Sequence, residues 1–125
     1  MPRKVLYIED NPDNMTLVQR VLEAKGYLFF WAPDGLTGLE MAQANKPDLI
    51  LLDINLPDID GYEVARRLRA NAARNALYVP IIALTANVLK GDADKALAAG
   101  CDFHMGKPIN IRELWNRVAA FLPDK

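Results

Sequence analysis

Short unbroken apolar runs alternate along this chain with stretches in which apolar residues recur every three or four positions. Lys4 to Ile8, Leu28 to Ala32, Leu49 to Leu52, Pro80 to Thr85 and Phe103 to Gly106 are the short runs, each bounded by turn formers. That pattern predicts strands buried on both faces. Helical spacing lies between them, in Met15, Val18 and Leu22, then Leu36, Leu39 and Ala42, then Tyr62, Val64, Ala65 and Leu68. Ala96 and Leu97 continue it, and Ile111, Leu114, Trp115, Val118 and Leu122 form the last inner face. Asn11-Pro12-Asp13-Asn14, Pro33-Asp34-Gly35 and Asp92 read as turn and cap chemistry, while Gly26, Pro47, Gly100 and Pro123 read as stops. Arg66, Arg67 and Arg69 are expected towards solvent, and Asn71 and Asn75 suggest fraying at the end of the third helix.

Strands and helices alternate throughout, so the fold class is α/β, a parallel sheet with helices on both faces. Right-handed crossovers leave few topologies. Five strands with the first one central predict a flavodoxin-like doubly wound sheet, order 2-1-3-4-5, with five helices.

The 125 residues fit one domain, expected to span 1–125 with no output domain, since only Pro123, Asp124 and Lys125 follow Leu122. A hydrophobic fraction of 51% fills a core, and 25% charged residues cover a soluble surface. The formal net charge of −1 gives no positive field to collect phosphates or anionic lipid, so no direct nucleic-acid or membrane partner is expected. The single cysteine, Cys101, cannot form an internal disulfide and reads as a small buried hydrophobe. No signal-peptide core opens the chain, and no run reaches the ~20 apolar residues of a membrane span. The expected address is cytoplasmic.

The strand ends carry the chemistry. Glu9 and Asp10 follow the first strand, Asp53 the third, Thr85 the fourth and Lys107 the fifth. In open α/β sheets ligands bind at that end, in the crevice where strand order reverses, and the predicted order brings these side chains to it. Alone, Asp53 reads equally as a carboxylate capping the next helix. Its company at the other tips favours chemistry. Three carboxylates in one crevice repel, so a proton or a cation must neutralise them. An all-oxygen donor set suits Mg²⁺, which keeps several waters and shares phosphate oxygens, and Mn²⁺ is the substitute that takes the same donors. Lys107 and Thr85 suit the oxygens of a transferring phosphoryl group. Asp53 is the candidate nucleophile, because a carboxylate can form an aspartyl-phosphate.

In that order and spacing, Glu9-Asp10, Asp53, Thr85-Ala86 and Lys107-Pro108 make the chain resemble a response-regulator receiver domain of two-component signalling. Leu56-Pro57, Gly61 and Ala99-Gly100-Cys101-Asp102 belong to the same likeness, which covers Val5 to Leu122. Glu9-Asp10-Asn11 and Leu89-Lys90-Gly91-Asp92 resemble stand-alone regulators of the cell-cycle type. The resemblance implies that Asp53 accepts a phosphoryl group from a histidine kinase or histidine phosphotransfer protein. It implies Mg²⁺ held by Asp10, Asp53 and the Asn55 backbone carbonyl, with Glu9 acting through water. Thr85, the Ala86 backbone N–H and Lys107 would hold the phosphoryl oxygens, and the Lys107–Pro108 bond would be cis. Phosphorylation would draw Thr85 inward and repack the face of the fourth helix, fifth strand and fifth helix, where a downstream protein binds. The domain would catalyse only its own phosphorylation and dephosphorylation. The rival is a Mg²⁺-dependent phosphohydrolase, which usually needs a second acid two residues past its nucleophile, where this chain has Asn55.

Three places leave alternatives open. His104 stands where the family usually has an inward-turning Tyr or Phe. It is either a solvent-touching histidine or a pH-sensitive replacement for that switch, an unperturbed imidazole titrating near ~6.5. Asn55 and Asn87 stand two residues past Asp53 and Thr85, places that in the family flank the phosphoryl group, and the resemblance implies that they tune hydrolysis to an intermediate lifetime. Phe29, Phe30, Trp31 and Trp115 pack in the core or mark a contact patch.

Overall fold

The computed structural model describes residues 2–75, 79–86 and 92–122. Strands β1 (Lys4–Ile8), β2 (Leu28–Ala32), β3 (Leu49–Asp53), β4 (Ile81–Thr85) and β5 (Phe103–Gly106) alternate with helices α1 (Pro12–Ala24), α2 (Gly35–Asn45), α3 (Gly61–Asn75), α4 (Asp92–Ala98) and α5 (Ile111–Phe121). The strands form one parallel sheet in the order β2-β1-β3-β4-β5, as the alternation predicts.

Every residue of β3 and of β4 is buried, because helices cover both faces of the central strands. On one side Val5, Tyr7, Leu51, Ile82 and Leu84 pack against Val18 and Leu22 of α1 and Leu114 and Val118 of α5. On the other, Leu6, Ile8, Ile50, Leu52, Ile81 and Ala83 meet Val64, Ala65 and Leu68 of α3 and Ala96 of α4. Phe29 and Trp115 pack against the first cluster and Phe30 against the second, so these aromatics serve the core.

Local polar chemistry sets the helix starts. Asn11 Oδ1 accepts from the Asp13 and Asn14 N–H groups with Pro12 in the first turn, and Asn110 Oδ1 accepts from the Glu113 N–H. Asp34 caps α2 through the Thr37 N–H, and Asp58, from the loop after β3, accepts from the Gly35 and Leu36 N–H groups. The loop that follows Asp53 is thereby tied to the start of α2.

Several expectations need correction. Leu36 and Leu97 are exposed; α2 buries Gly35 and Gly38 instead, and the buried residues are Ala96 in α4 and Ala99 just after it. A Cβ on Gly38 would lie 2.5 Å from Ile8 Cδ1, so the helix rests on β1 only because that carbon is missing. Arg69 does not face solvent. Its guanidinium donates to the Gly100 and Val79 carbonyls and pairs with Asp102, joining α3 to the segment that enters β5. The α3 backbone is helical through Asn75, and residues 76–78, the rest of the stretch where fraying is expected, lie outside the described residues. Asn87, the Leu89 to Gly91 segment and Pro123 lie outside the described residues.

Candidate functional site

Parallel register builds the site. Ile8 pairs with Leu52 and Asp53 with Leu84, so the chain leaving β1 brings Glu9 level with Asp53. Thr85 pairs with Gly106, and the Lys107 N–H donates to the Thr85 carbonyl at 2.8 Å, which sets Lys107 beside the same tips. Behind Asp53, a Cβ on Gly61 would lie 2.5 Å from Ile54 Cα, so glycine is required where α3 starts against the β3 terminus.

Carboxylate oxygens of Glu9, Asp10 and Asp53 all lie within 4.8 Å of one another. Glu9 and Asp53 are buried and Asp10 is exposed. The Lys107 Nζ donates to Glu9 Oε1 at 3.2 Å and lies 3.1 Å from Asp53 Oδ1, bridging the two buried acids. The Asn55 N–H donates to Asp53 Oδ1 at 3.0 Å. Thr85 is buried at the neighbouring tip and Ala86 is exposed just beyond it. The Lys107–Pro108 bond is cis.

Two contributors were not evident in the sequence. The Tyr7 hydroxyl donates to Glu9 Oε1 at 2.7 Å, and the Trp31 indole N–H donates to the Glu9 backbone carbonyl at 2.6 Å. The Asn11 N–H adds a bond to Glu9 Oε2 at 3.2 Å. Tyr7 is hidden in a sequence reading because it completes an apolar run. The available signal is its spacing, since residues two apart on a strand share a face.

The electrostatics follow from this crowding. Burial pushes Asp53 up to about 6, reinforced by the Glu9 hydrogen bond and charge, against the pull of the Asn55 N–H and Lys107. Burial acts upward on Glu9 too, but bonds from Tyr7 and Asp53 and the Lys107 charge hold it below the ordinary carboxylate value. Of the buried pair, Asp53 therefore holds the proton more readily. Burial drives the Lys107 ammonium down, and its two carboxylate partners outweigh that and leave it raised. Burial and the Glu9 charge keep Tyr7 far above its usual range, so it remains a hydroxyl donor. Cys101 is pushed up to about 11 by burial, which fits a core thiol and no nucleophile.

The donor set fits a hard divalent cation. It is all oxygen, it carries more negative than positive charge, and one acid opens to solvent where retained waters can stand.

An open parallel sheet with acids clustered at the β1 and β3 tips and a lysine reaching them from β5 can hold a divalent cation and receive a phosphoryl group. The model of the response regulator receiver domain matches residues 5–119, and the chain belongs to that family. The chain is 36% identical over 124 residues to the polar-differentiation response regulator DivK of Brucella anthropi, covering 99% of each chain. A receiver domain of a sensor histidine kinase from Pseudomonas aeruginosa, solved with a magnesium ion in its active-site cleft, is 36% identical with a TM-score of 0.86, covering 99% of this chain and 100% of that one. A Saccharomyces cerevisiae receiver domain, crystallised with a histidine phosphotransfer signalling protein, has a TM-score of 0.91 at 27% identity, covering 96% of this chain and 88% of that one. This chain is thus a receiver domain of two-component signalling with a phosphoacceptor role. Among the described residues no helix is long and apolar enough to cross a membrane.

Proposed function

We propose that Asp53 is the phosphoacceptor and that a histidine kinase or histidine phosphotransfer protein is the donor. The observation that carries this is the convergence of Glu9, Asp10 and Asp53 with the Lys107 ammonium 3.1 Å from Asp53 Oδ1. A carboxylate oxygen of Asp53 attacks phosphorus, the bond from phosphorus to the donor imidazole nitrogen breaks, and its electron pair stays on that nitrogen, which then takes a proton. Lys107, the Thr85 hydroxyl and the Ala86 N–H receive the non-bridging oxygens. Asp10, Asp53 and the Asn55 carbonyl would hold Mg²⁺, or Mn²⁺ in its place, with Glu9 engaged through water; the ion supplies neutralising charge to the phosphoryl oxygens. Asn55, two residues past Asp53, and Asn87, two residues past Thr85, tune the hydrolysis of the product.

Output passes through the face of α4, β5 and α5, which binds a downstream protein. Lys107 supports this route, since it follows β5 directly and touches the acids. The test is incubation with acetyl phosphate and Mg²⁺ followed by intact-mass measurement. One phosphoryl adduct is expected on the wild type and none on Asp53→Asn. An unmodified wild type, or equal labelling of the variant, would overturn the assignment.

A further inference from the structure

Lys107 divides its charge between two buried acids, and the structure contains a third group acting on that division. Tyr7 lies wholly buried on β1, two residues before Glu9 and on the same face. Its hydroxyl and the Lys107 Nζ both donate to one atom, Glu9 Oε1, at 2.7 and 3.2 Å. Asn11 binds the other oxygen through its backbone and has little freedom to move. Of the donors around Glu9, the lysine head is the one on a long flexible stem.

We infer that Tyr7 is a positioning residue that, by satisfying part of the buried Glu9 carboxylate, keeps the Lys107 ammonium shared with Asp53. Without the hydroxyl, the deficit at Glu9 is met by the nearest mobile donor, because a buried carboxylate short of a partner is costly. Lys107 then moves towards Glu9 and away from Asp53. Two consequences follow, with opposite signs. Asp53 presents more uncompensated charge to a cation. The phosphoryl oxygens arriving at Asp53 meet a lysine already committed elsewhere.

This rests on the phosphoacceptor and cation reading above. The test uses Tyr7→Phe, which keeps the ring in the core and removes only the hydroxyl. Calorimetric titration of the unphosphorylated protein with Mg²⁺ is expected to show binding tighter by about 3–10-fold. Labelling by acetyl phosphate at saturating Mg²⁺, in which Asp53 oxygen attacks phosphorus and acetate leaves with the bonding pair, should slow by a similar factor. A merely structural tyrosine would weaken both together, and that result overturns the inference. So does a variant unchanged in both.

A double-mutant comparison isolates the route. In a Lys107→Met background, adding Tyr7→Phe should leave Mg²⁺ affinity unmoved; tightening that persists there means Tyr7 does not act through Lys107 and overturns the inference. A wild type that neither binds Mg²⁺ nor takes a phosphoryl group sinks the parent reading as well. A competent wild type with an indifferent Tyr7→Phe sinks this one alone.

Discussion

Asp53 occupies a position that opposes its own charge. In the folded chain its carboxyl rises from 3.8 to about 6, so the native state holds this proton more tightly than the unfolded chain does. The contribution to stability is therefore complete below the unfolded value and disappears as pH climbs through about 6. Above that, an ionised Asp53 beside buried Glu9 strains the metal-free fold. Asp53→Asn removes the charge while keeping the shape. In EDTA at pH 7.5 the variant should exceed wild type in stability by on the order of 1–2 kcal/mol, discounted for solvent at the open side of the site. Thermal melts across pH should bring the two together near pH 4, and a gap constant with pH would contradict the cause given. The candidacy of Asp53 was legible in the sequence because a carboxylate at the end of an apolar run is a recognisable event. The local satisfaction of Glu9 was not, because Tyr7 and Trp31 count as apolar in a periodicity and as donors only once a partner is in reach.

Elements show the same division between what pattern carries and what contact decides. The five strands stand where the apolar runs predict them, since burial on both faces leaves that mark in a sequence. Helix α2 was located by Leu36, Leu39 and Ala42, yet Leu36 is exposed and Gly38 lies against Ile8 of β1. A glycine adds nothing to a hydrophobic pattern, so a face built from absent side chains is invisible to it. Gly38→Ala sets two effects against each other. Alanine improves intrinsic helix propensity by about 1 kcal/mol. Its methyl would lie 2.5 Å from Ile8 Cδ1 and 2.8 Å from Ile8 Cγ1, in a side chain that is fully buried and cannot swing clear. Overpacking of this kind costs about 1–3 kcal/mol, so the net change should be destabilising by up to about 2 kcal/mol. Denaturant unfolding of the two proteins measures it, and a stabilised variant would mean that α2 can lift from β1 freely.

Across the whole molecule, Lys107 ties the edge strand to the centre of the sheet, reaching from just after β5 past β4 to Asp53 at the end of β3 and Glu9 just after β1. Around it stand Glu9, Asp10 and Asp53, so the protein alone leaves the cluster with excess negative charge. Topology made this convergence predictable, because a parallel sheet aligns every carboxyl end on one side. The Arg69 tie to Asp102 was not predictable, since a basic residue on a helix commonly faces water and only the packed loop supplies its acceptors. Replacing Lys107 with Met exposes the balance at this scale. Metal-free, the variant leaves buried Glu9 and Asp53 without their cation, and about 1–3 kcal/mol should be lost, less than for a fully enclosed pair because Asp53 can take a proton. If the cluster takes Mg²⁺ as proposed, the ion should stabilise either protein by mass action, about 2.7 kcal/mol at a hundredfold excess over its dissociation constant. With the competing ammonium gone, that dissociation constant should fall. The difference in melting temperature between wild type and Lys107→Met should therefore shrink as Mg²⁺ is raised. Melting curves that stay parallel at every Mg²⁺ concentration would show that the lysine and the cation do not answer to the same charges.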